Sequence, residues 1–250
     1  MARDPTRRFS DRVATYVRAR PDYPDGVLDV LGPPGVIADV GAGTGILSRL
    51  LLSGGWTVRG VEPNAEMAAA AQAEHGYHPR WTLHAGRAEA TGLGSASVDC
   101  ITAGQAFHWF EPAPTRAEWV RILRPGGRVA LVWNDRDPTT SRMLRDYEAL
   151  VGEFGTDHEA VDHRRFDGPV LDAFFLGPWE TRVLPHVHRL DRAGLRDRVL
   201  SCSYIPGPDS PGHDALLLAT ERLFRDHQRD GWVAMPYRTR VCLGLLPALP

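Results

Sequence analysis

Lysine is missing altogether, so the 29 basic residues of this 250-residue chain are all arginine. That absence excludes a P-loop lysine, a Schiff-base lysine, the lysine of a kinase and a Tyr-x-x-x-Lys dehydrogenase pair. Cysteine is scarce. Cys100, Cys202 and Cys242 are odd in number and show no Cys-x-x-Cys spacing, which argues against a disulfide framework or a zinc knuckle and suits a reducing cytoplasm. No run approaches the roughly 18 apolar residues of a membrane span, and Met-Ala-Arg-Asp-Pro-Thr-Arg-Arg at the start carries no apolar signal region. Neither export nor a membrane partner is expected. Charge of one sign is lacking as well: 31 acidic residues against 29 basic leave a net −2. Without a basic stripe, nucleic acid is not an expected partner.

What is present describes a globule. Hydrophobic residues make up 43% and charged residues 24%, with 25 glycines and 20 prolines, which excludes collagen, coiled coil and extended disorder. The length suits one sheet-centred domain with insertions. From residue 36 onward strand-like and helix-like stretches alternate, the pattern of a parallel sheet covered by helices on both faces. Strands are predicted at 36–40, 57–62, 81–85, 98–103 and 128–133, and helices at 46–52, from Pro63-Asn64 to about 75, and around 118–123. Beyond Asp137-Pro138 the signal weakens. Residues 142–154 read as helix, 155–178 as irregular, 180–190 as a sixth strand, 192–201 and 213–228 as helices, and 238–243 as a last strand.

In an open parallel sheet the ligand lies beyond the carboxyl ends of the strands, where strand order reverses. The first strand runs there into Gly41-Ala42-Gly43-Thr44-Gly45, whose glycines permit a tight turn and close approach to a ligand. Glu62 ends the second strand 21 residues beyond Gly41, placed to accept hydrogen bonds from two ribose hydroxyls. Together they describe a nucleoside site. A dinucleotide fingerprint would need Gly-x-Gly-x-x-Gly, but Ile46 stands where its third glycine belongs.

Five further stretches extend this pattern: Val61-Glu62-Pro63, Gly86-Arg87-Ala88-Glu89, Val98-Asp99 through Gln105-Ala106-Phe107-His108-Trp109-Phe110, Leu123-Arg124-Pro125-Gly126-Gly127, and Arg20-Pro21-Asp22-Tyr23-Pro24 with Phe9 and Tyr16 before it. With the glycine loop they resemble the class I S-adenosylmethionine-dependent methyltransferases, specifically the type 11 group, similar to ubiquinone/menaquinone-biosynthesis and trans-aconitate methyltransferases. The motifs span residues 9–137, with weaker echoes to 240. The resemblance implies S-adenosyl-L-methionine as cofactor. It implies that Gly41, Ala42 and Gly43 line its methionine and ribose part, that Glu62 with Pro63 holds the ribose, and that Met67 packs on the adenine. It further implies that Ala88 and Glu89 meet the adenine edge, although Arg87 stands where an Asp more often precedes such a pair. Gln105 would sit under the methionine portion, and Tyr16 and Arg20 would reach its polar end, the arginine suited to a carboxylate.

The expected fold is then a doubly wound, Rossmann-like α/β domain over 1–250, with a seven-stranded, mostly parallel sheet and a cap of helices and loops. A lid segment covers about 9–30 and the core sheet about 36–137, completed by strands near 180–190 and 238–246. Cap insertions cover about 138–178 and 191–235. The expected reaction is transfer of the sulfonium methyl to an O, N or C nucleophile of a small molecule, by in-line displacement. His108 follows the fourth strand, either as a base for a hydroxyl or carbon acid or as a pocket-shaping ring; a carboxylate acceptor needs no base. Phe107, Trp109, Phe110 and Trp133 suggest an apolar or aromatic acceptor. Trp133-Asn134-Asp135-Arg136 ends strand five at the same edge. His158 and His163 add two more histidines, and His186-x-His188 places two rings on one strand face, but no third ligand is specified, so no metal is expected. Two other readings are a nicotinamide-dependent oxidoreductase, disfavoured by the loop spacing, and a catalytically silent binder of the same cofactor.

Overall fold

The computed structural model describes residues 19–155, 168–202 and 205–247. In chain order the elements are α1 (Gly26–Leu31), β1 (Val36–Val40), α2 (Ile46–Ser53), β2 (Thr57–Val61), α3 (Ala65–His75), β3 (Trp81–His84) and β4 (Val98–Gly104). A 3₁₀ turn (Phe107–Trp109), α4 (Pro112–Ile122), β5 (Leu123–Asp135), α5 (Arg142–Phe154), α6 (Gly168–Phe175), β6 (Trp179–Leu190), α7 (Arg192–Leu200), α8 (His213–His227) and β7 (Val233–Leu245) follow.

The seven strands form one sheet in the order β3-β2-β1-β4-β5-β7-β6. The first five run parallel, and β7 is antiparallel to both β5 and β6. Strand order reverses between β1 and β4, which puts the crevice at their carboxyl ends.

Side-chain alternation builds both faces. Ala38 and Val40 of β1 and Val129, Leu131 and Trp133 of β5 join one core with Trp119 of α4 and Phe174 of α6. Ile37 of β1 and Ala130 and Val132 of β5 join the opposite core with Val27 of α1 and Leu47 and Leu51 of α2. Helix starts are fixed locally: Asn64, Ser141 and Asp191 accept the backbone N–H of Met67, Leu144 and Gly194.

The weaker half of the sequence holds the differences from expectation. β5 starts at Leu123, five residues early, because Leu123 already pairs with Val98 and Gly126 turns at φ +79° before Arg128 pairs with Cys100. Part of the stretch read as irregular is helix, since Leu171, Phe174 and Phe175 bury one face of α6 in the first core. β7 begins at Val233 rather than 238. Its first residues pair with the end of β6, from His186 against Tyr237 to Leu190 against Val233, so a two-stranded ribbon runs on past Asp135, where β5 ends. Met143, Leu144, Tyr147, Leu195, Val199, Leu216, Met235 and Tyr237 form a third core on that ribbon with α5, α7 and α8.

Candidate active site

β1 is buried on both faces and stops at Gly41, where the chain turns at φ +69°. The backbone N–H groups of Gly41 and Ala42 both donate to the carbonyl of Val61, at 2.8 and 3.1 Å, tying the loop to the end of β2. A Cβ at Gly41 would lie 2.7 Å from the Ala106 methyl, and one at Gly45 2.5 Å from the His75 ring. A Cβ at Gly43 would meet nothing within 4 Å. Two glycines therefore permit tight packing behind the loop, and the middle one fronts open space.

Glu62 is the acid of this edge. Its Oε2 accepts the N–H of Gly43 at 2.8 Å and its Oε1 the N–H of Asn64 at 2.9 Å. Each oxygen keeps a lone pair for another donor. Burial raises the carboxyl's pKa, and the N–H groups of Asn64 and Gly43 oppose that shift. Pro63 is exposed beside it, and the buried Met67 stands in the first turn of α3.

Asp39, the first residue of the glycine motif, is 1% exposed. Ser48 donates to its Oδ2 at 2.6 Å and Thr102 to its Oδ1 at 3.2 Å. Burial still pushes its pKa up to about 6, with neighbouring Glu62 adding to the rise. Sequence reasoning passed over this carboxyl, whose signal is an acid inside a strand buried on both faces.

After β4 the chain takes a left-handed step at Gln105, φ +55°. The Gln105 backbone N–H donates to Val132 and its Nε2 to the Asn134 carbonyl at 3.2 Å. The Asn134 side chain accepts the Thr239 hydroxyl at 2.6 Å and donates to the Asp22 carbonyl at 3.1 Å. Ala88 is buried with Ala106 and Phe107 in the first core. Glu89 is already engaged: its Oε1 accepts the Glu111 N–H at 3.0 Å and the Thr115 hydroxyl at 3.4 Å, at the start of α4. His108 is half-buried with its ring 4.8 Å from that of Trp109.

Of the four aromatics, Phe107 and Trp133 are fully buried, 6.4 Å apart in the core, and only Trp109 and Phe110 stay half-buried at the edge. Arg20 points toward the cap, its Nη2 donating to the Ser201 carbonyl at 3.3 Å. Phe9, Tyr16, His158 and His163 lie outside the described residues. Among the described residues no three His, Cys, Asp or Glu side chains group as a metal site, and no helix is long and apolar enough to cross a membrane.

A reversed strand order, a glycine loop at the reversal and an acid gripped by that loop define the class I methyltransferase type of α/β fold. Comparison with known proteins agrees. The type 11 family model, described as a methyltransferase domain, matches residues 38–131. Over 250 aligned positions the chain is 33% identical to an uncharacterized methyltransferase of Mycobacterium bovis, covering 96% of each. It is 36% identical over 190 positions to a malonyl-[acyl-carrier protein] O-methyltransferase of Methylococcus capsulatus, 69% of this chain and 66% of that protein. A solved structure from Anaeromyxobacter dehalogenans, described as a candidate type II methyltransferase, is similar at TM-score 0.67 and 26% identity, covering 92% of this chain and 99% of that one. The chain belongs to the type 11 family of class I methyltransferases, enzymes whose methyl donor is S-adenosylmethionine.

Proposed function

We propose that this enzyme methylates a small molecule held between the carboxyl edge of β4 and β5 and the helices on the β6–β7 ribbon. The supporting observation is Glu62, whose two oxygens are aimed by the N–H groups of Gly43 and Asn64 while each retains an accepting lone pair. The residues fit the donor. Gly43 leaves room for a ribose and methionine chain, with Gly41 and Ala42 beside it, and Glu62 with Pro63 takes the ribose hydroxyls. Met67 and Ala88 offer the adenine an apolar wall, with Glu89 at its edge, although one of its oxygens is already engaged at α4. Gln105 would lie under the methionine portion and Arg20 toward its polar end, while Tyr16 and residues 9–18 of the expected lid lie outside the described residues.

When bound, S-adenosylmethionine supplies an electrophilic methyl and its own leaving group. The protein's task is then to align an acceptor nucleophile with that methyl and keep water out. His108 stands next to β4, where it shapes the pocket and takes a proton when the acceptor is a hydroxyl or a carbon acid. Trp109 and Phe110 give the acceptor's apolar part a surface. The Methylococcus capsulatus relative is described as an O-methyltransferase, which favours oxygen among the three nucleophiles. Three buried cysteines in no disulfide suit the cytoplasm as the working compartment.

Calorimetric titration with S-adenosylmethionine and S-adenosylhomocysteine tests this site. Glu62→Ala should weaken both by roughly 2 kcal/mol, about thirtyfold, through loss of a charged acceptor. Unchanged affinity would put Glu62 outside the cofactor site.

A further inference from the structure

Among the described residues, Arg198 on α7 is a buried cation with no carboxylate partner. It is 1% exposed. Its Nε donates to the Tyr237 hydroxyl at 3.2 Å, and its Nη1 to the Ser201 hydroxyl at 3.4 Å and the Cys202 sulfur at 3.3 Å. The guanidinium carbon lies 5.7 Å from the Tyr147 ring centre. None of these partners is a carboxylate, and Nη2 donates to none of them. A second guanidinium, Arg136, stands 5.2 Å from the same ring and uses the one carboxylate of the group, Glu148, at 2.5 Å.

The surroundings add donors rather than charge balance. By register His186 and His188 share the ribbon face of Tyr237 and Met235. His186 Nε2 and His188 Nδ1 are both buried with no hydrogen-bond partner among the described residues. His188 is held neutral, its pKa pushed down to about 4 by burial and then by the charge of Arg198, with Asp22 acting against them and His186 adding slightly. Asp22 itself pairs with Arg49. A burial of this kind is costly for a cation whose partners among the described residues are hydroxyls, a sulfur and a ring, since those contacts do not replace lost hydration. A counter-charge from outside the chain would complete it.

The site connects to the reaction edge. Arg198 bonds Ser201, whose carbonyl accepts from Arg20; two residues on, the Asp22 carbonyl accepts from Asn134, whose own carbonyl accepts from Gln105. We propose that Arg198, flanked by Tyr237, His186 and His188, receives an anionic group of the methyl acceptor, a carboxylate or a phosphate. This deepens the functional reading and rests on its placement of the acceptor under the cap. A guanidinium edge suits the two oxygens of either anion.

Calorimetry on the full chain, with and without S-adenosylhomocysteine, uses malonate, benzoate and inorganic phosphate as probes and benzamide as the neutral control. At least one anion should bind and benzamide should not. A carboxylate or phosphate preference then names the source. Arg198→Met should weaken that anion about 10- to 100-fold and leave S-adenosylhomocysteine within about twofold. Arg198→Lys, which keeps the charge and loses the planar fork, should weaken it less and serves as the deciding variant where the methionine chain does not fold. Absence of binding by all three anions, or anion affinity unchanged in the lysine and methionine variants, overturns the proposal. Absence of heat from S-adenosylhomocysteine counts against the cofactor site instead, and an anion still lost with Arg198 would stand apart from it.

Discussion

At the carboxyl ends of β1 and β2 the Glu62 carboxylate is held over a short stretch of chain, whereas on the β6–β7 ribbon the polar groups come from distant segments and, among the described residues, are left charge-unbalanced. Gly43, Asn64 and Glu62 lie within 22 residues of one another, and two backbone N–H groups hold the carboxylate. Around Tyr147, by contrast, Arg136, Glu148, Arg198 and Tyr237 meet across about a hundred residues, with two guanidiniums by one ring and Glu148 bonded to Arg136. The first region is a rigid cradle set by backbone shape, suited to a cofactor common to a whole family. The second is set by side-chain charge, which can change from one acceptor to another without disturbing the sheet.

That contrast makes the loop side sensitive to shape above all. Gly41→Ala should produce the largest loss of stability. A Cβ there enters at φ +69° and 2.7 Å from Ala106, adding roughly 1–2 kcal/mol of left-handed backbone strain to about 1–3 kcal/mol of overpacking. Gly43→Ala, at φ +57° with open space in front, should lose only about 1–2 kcal/mol. Urea denaturation of both variants measures the difference, and equal losses would mean that packing against Ala106 does not constrain the loop.

On the loop side, charge bears on stability most at Asp39. Its folded pKa of about 6 lies above the ordinary 3.8, so the folded state takes up a proton between those values. The stability that the protonated acid contributes is complete below about pH 4 and is lost as pH rises through about 6. At neutral pH the ionised carboxylate is thus a burden on the order of 2–3 kcal/mol. Asp39→Asn should be more stable than the parent at about pH 7.5, with the gap closing toward about pH 4. A pH-independent gap would place the ionisation elsewhere.

How much of this was legible in the sequence follows the same division. The loop, Glu62 and the five parallel strands lie in contiguous motifs whose spacing is the geometry, so the order of helices and strands from Val36 to Trp133 could be read with end errors of a few residues, except for the starts of α4 and β5, whereas α1 was not foreseen. The start of β5 was missed because Leu123 pairs across a glycine turn that looks like a loop. The resemblance supplied the cofactor but did not foresee that Glu89 is engaged at α4 or that Phe107 and Trp133 are core. Arg198 was not singled out, although it left a trace: Leu195, Arg198, Val199 and Cys202 recur at 0, 3, 4 and 7, an apolar helix stripe with an arginine in it. Its partner Tyr237 sits 39 residues away on a strand begun earlier than expected, so only the fold could join them.

Charge balance in the cap gives the smallest effect and the sharpest separation of the two regions. Glu148→Gln removes the carboxylate paired with Arg136, both side chains being about one-fifth exposed. Breaking a fully buried pair costs about 3–5 kcal/mol, and partial exposure reduces this to about 1–2 kcal/mol. The loss should have a distinctive cure. With Glu148 neutral, the buried Arg198 and the partly buried Arg136 share the Tyr147 ring without that carboxylate, so a bound malonate stabilises the variant more than the parent and returns part of its melting temperature. Gly41→Ala, whose defect is steric, should gain no more from malonate than the parent does. If malonate rescues both variants equally, the anion acts on the protein surface at large, and the division between a cradle built on shape and a cap built on charge does not hold.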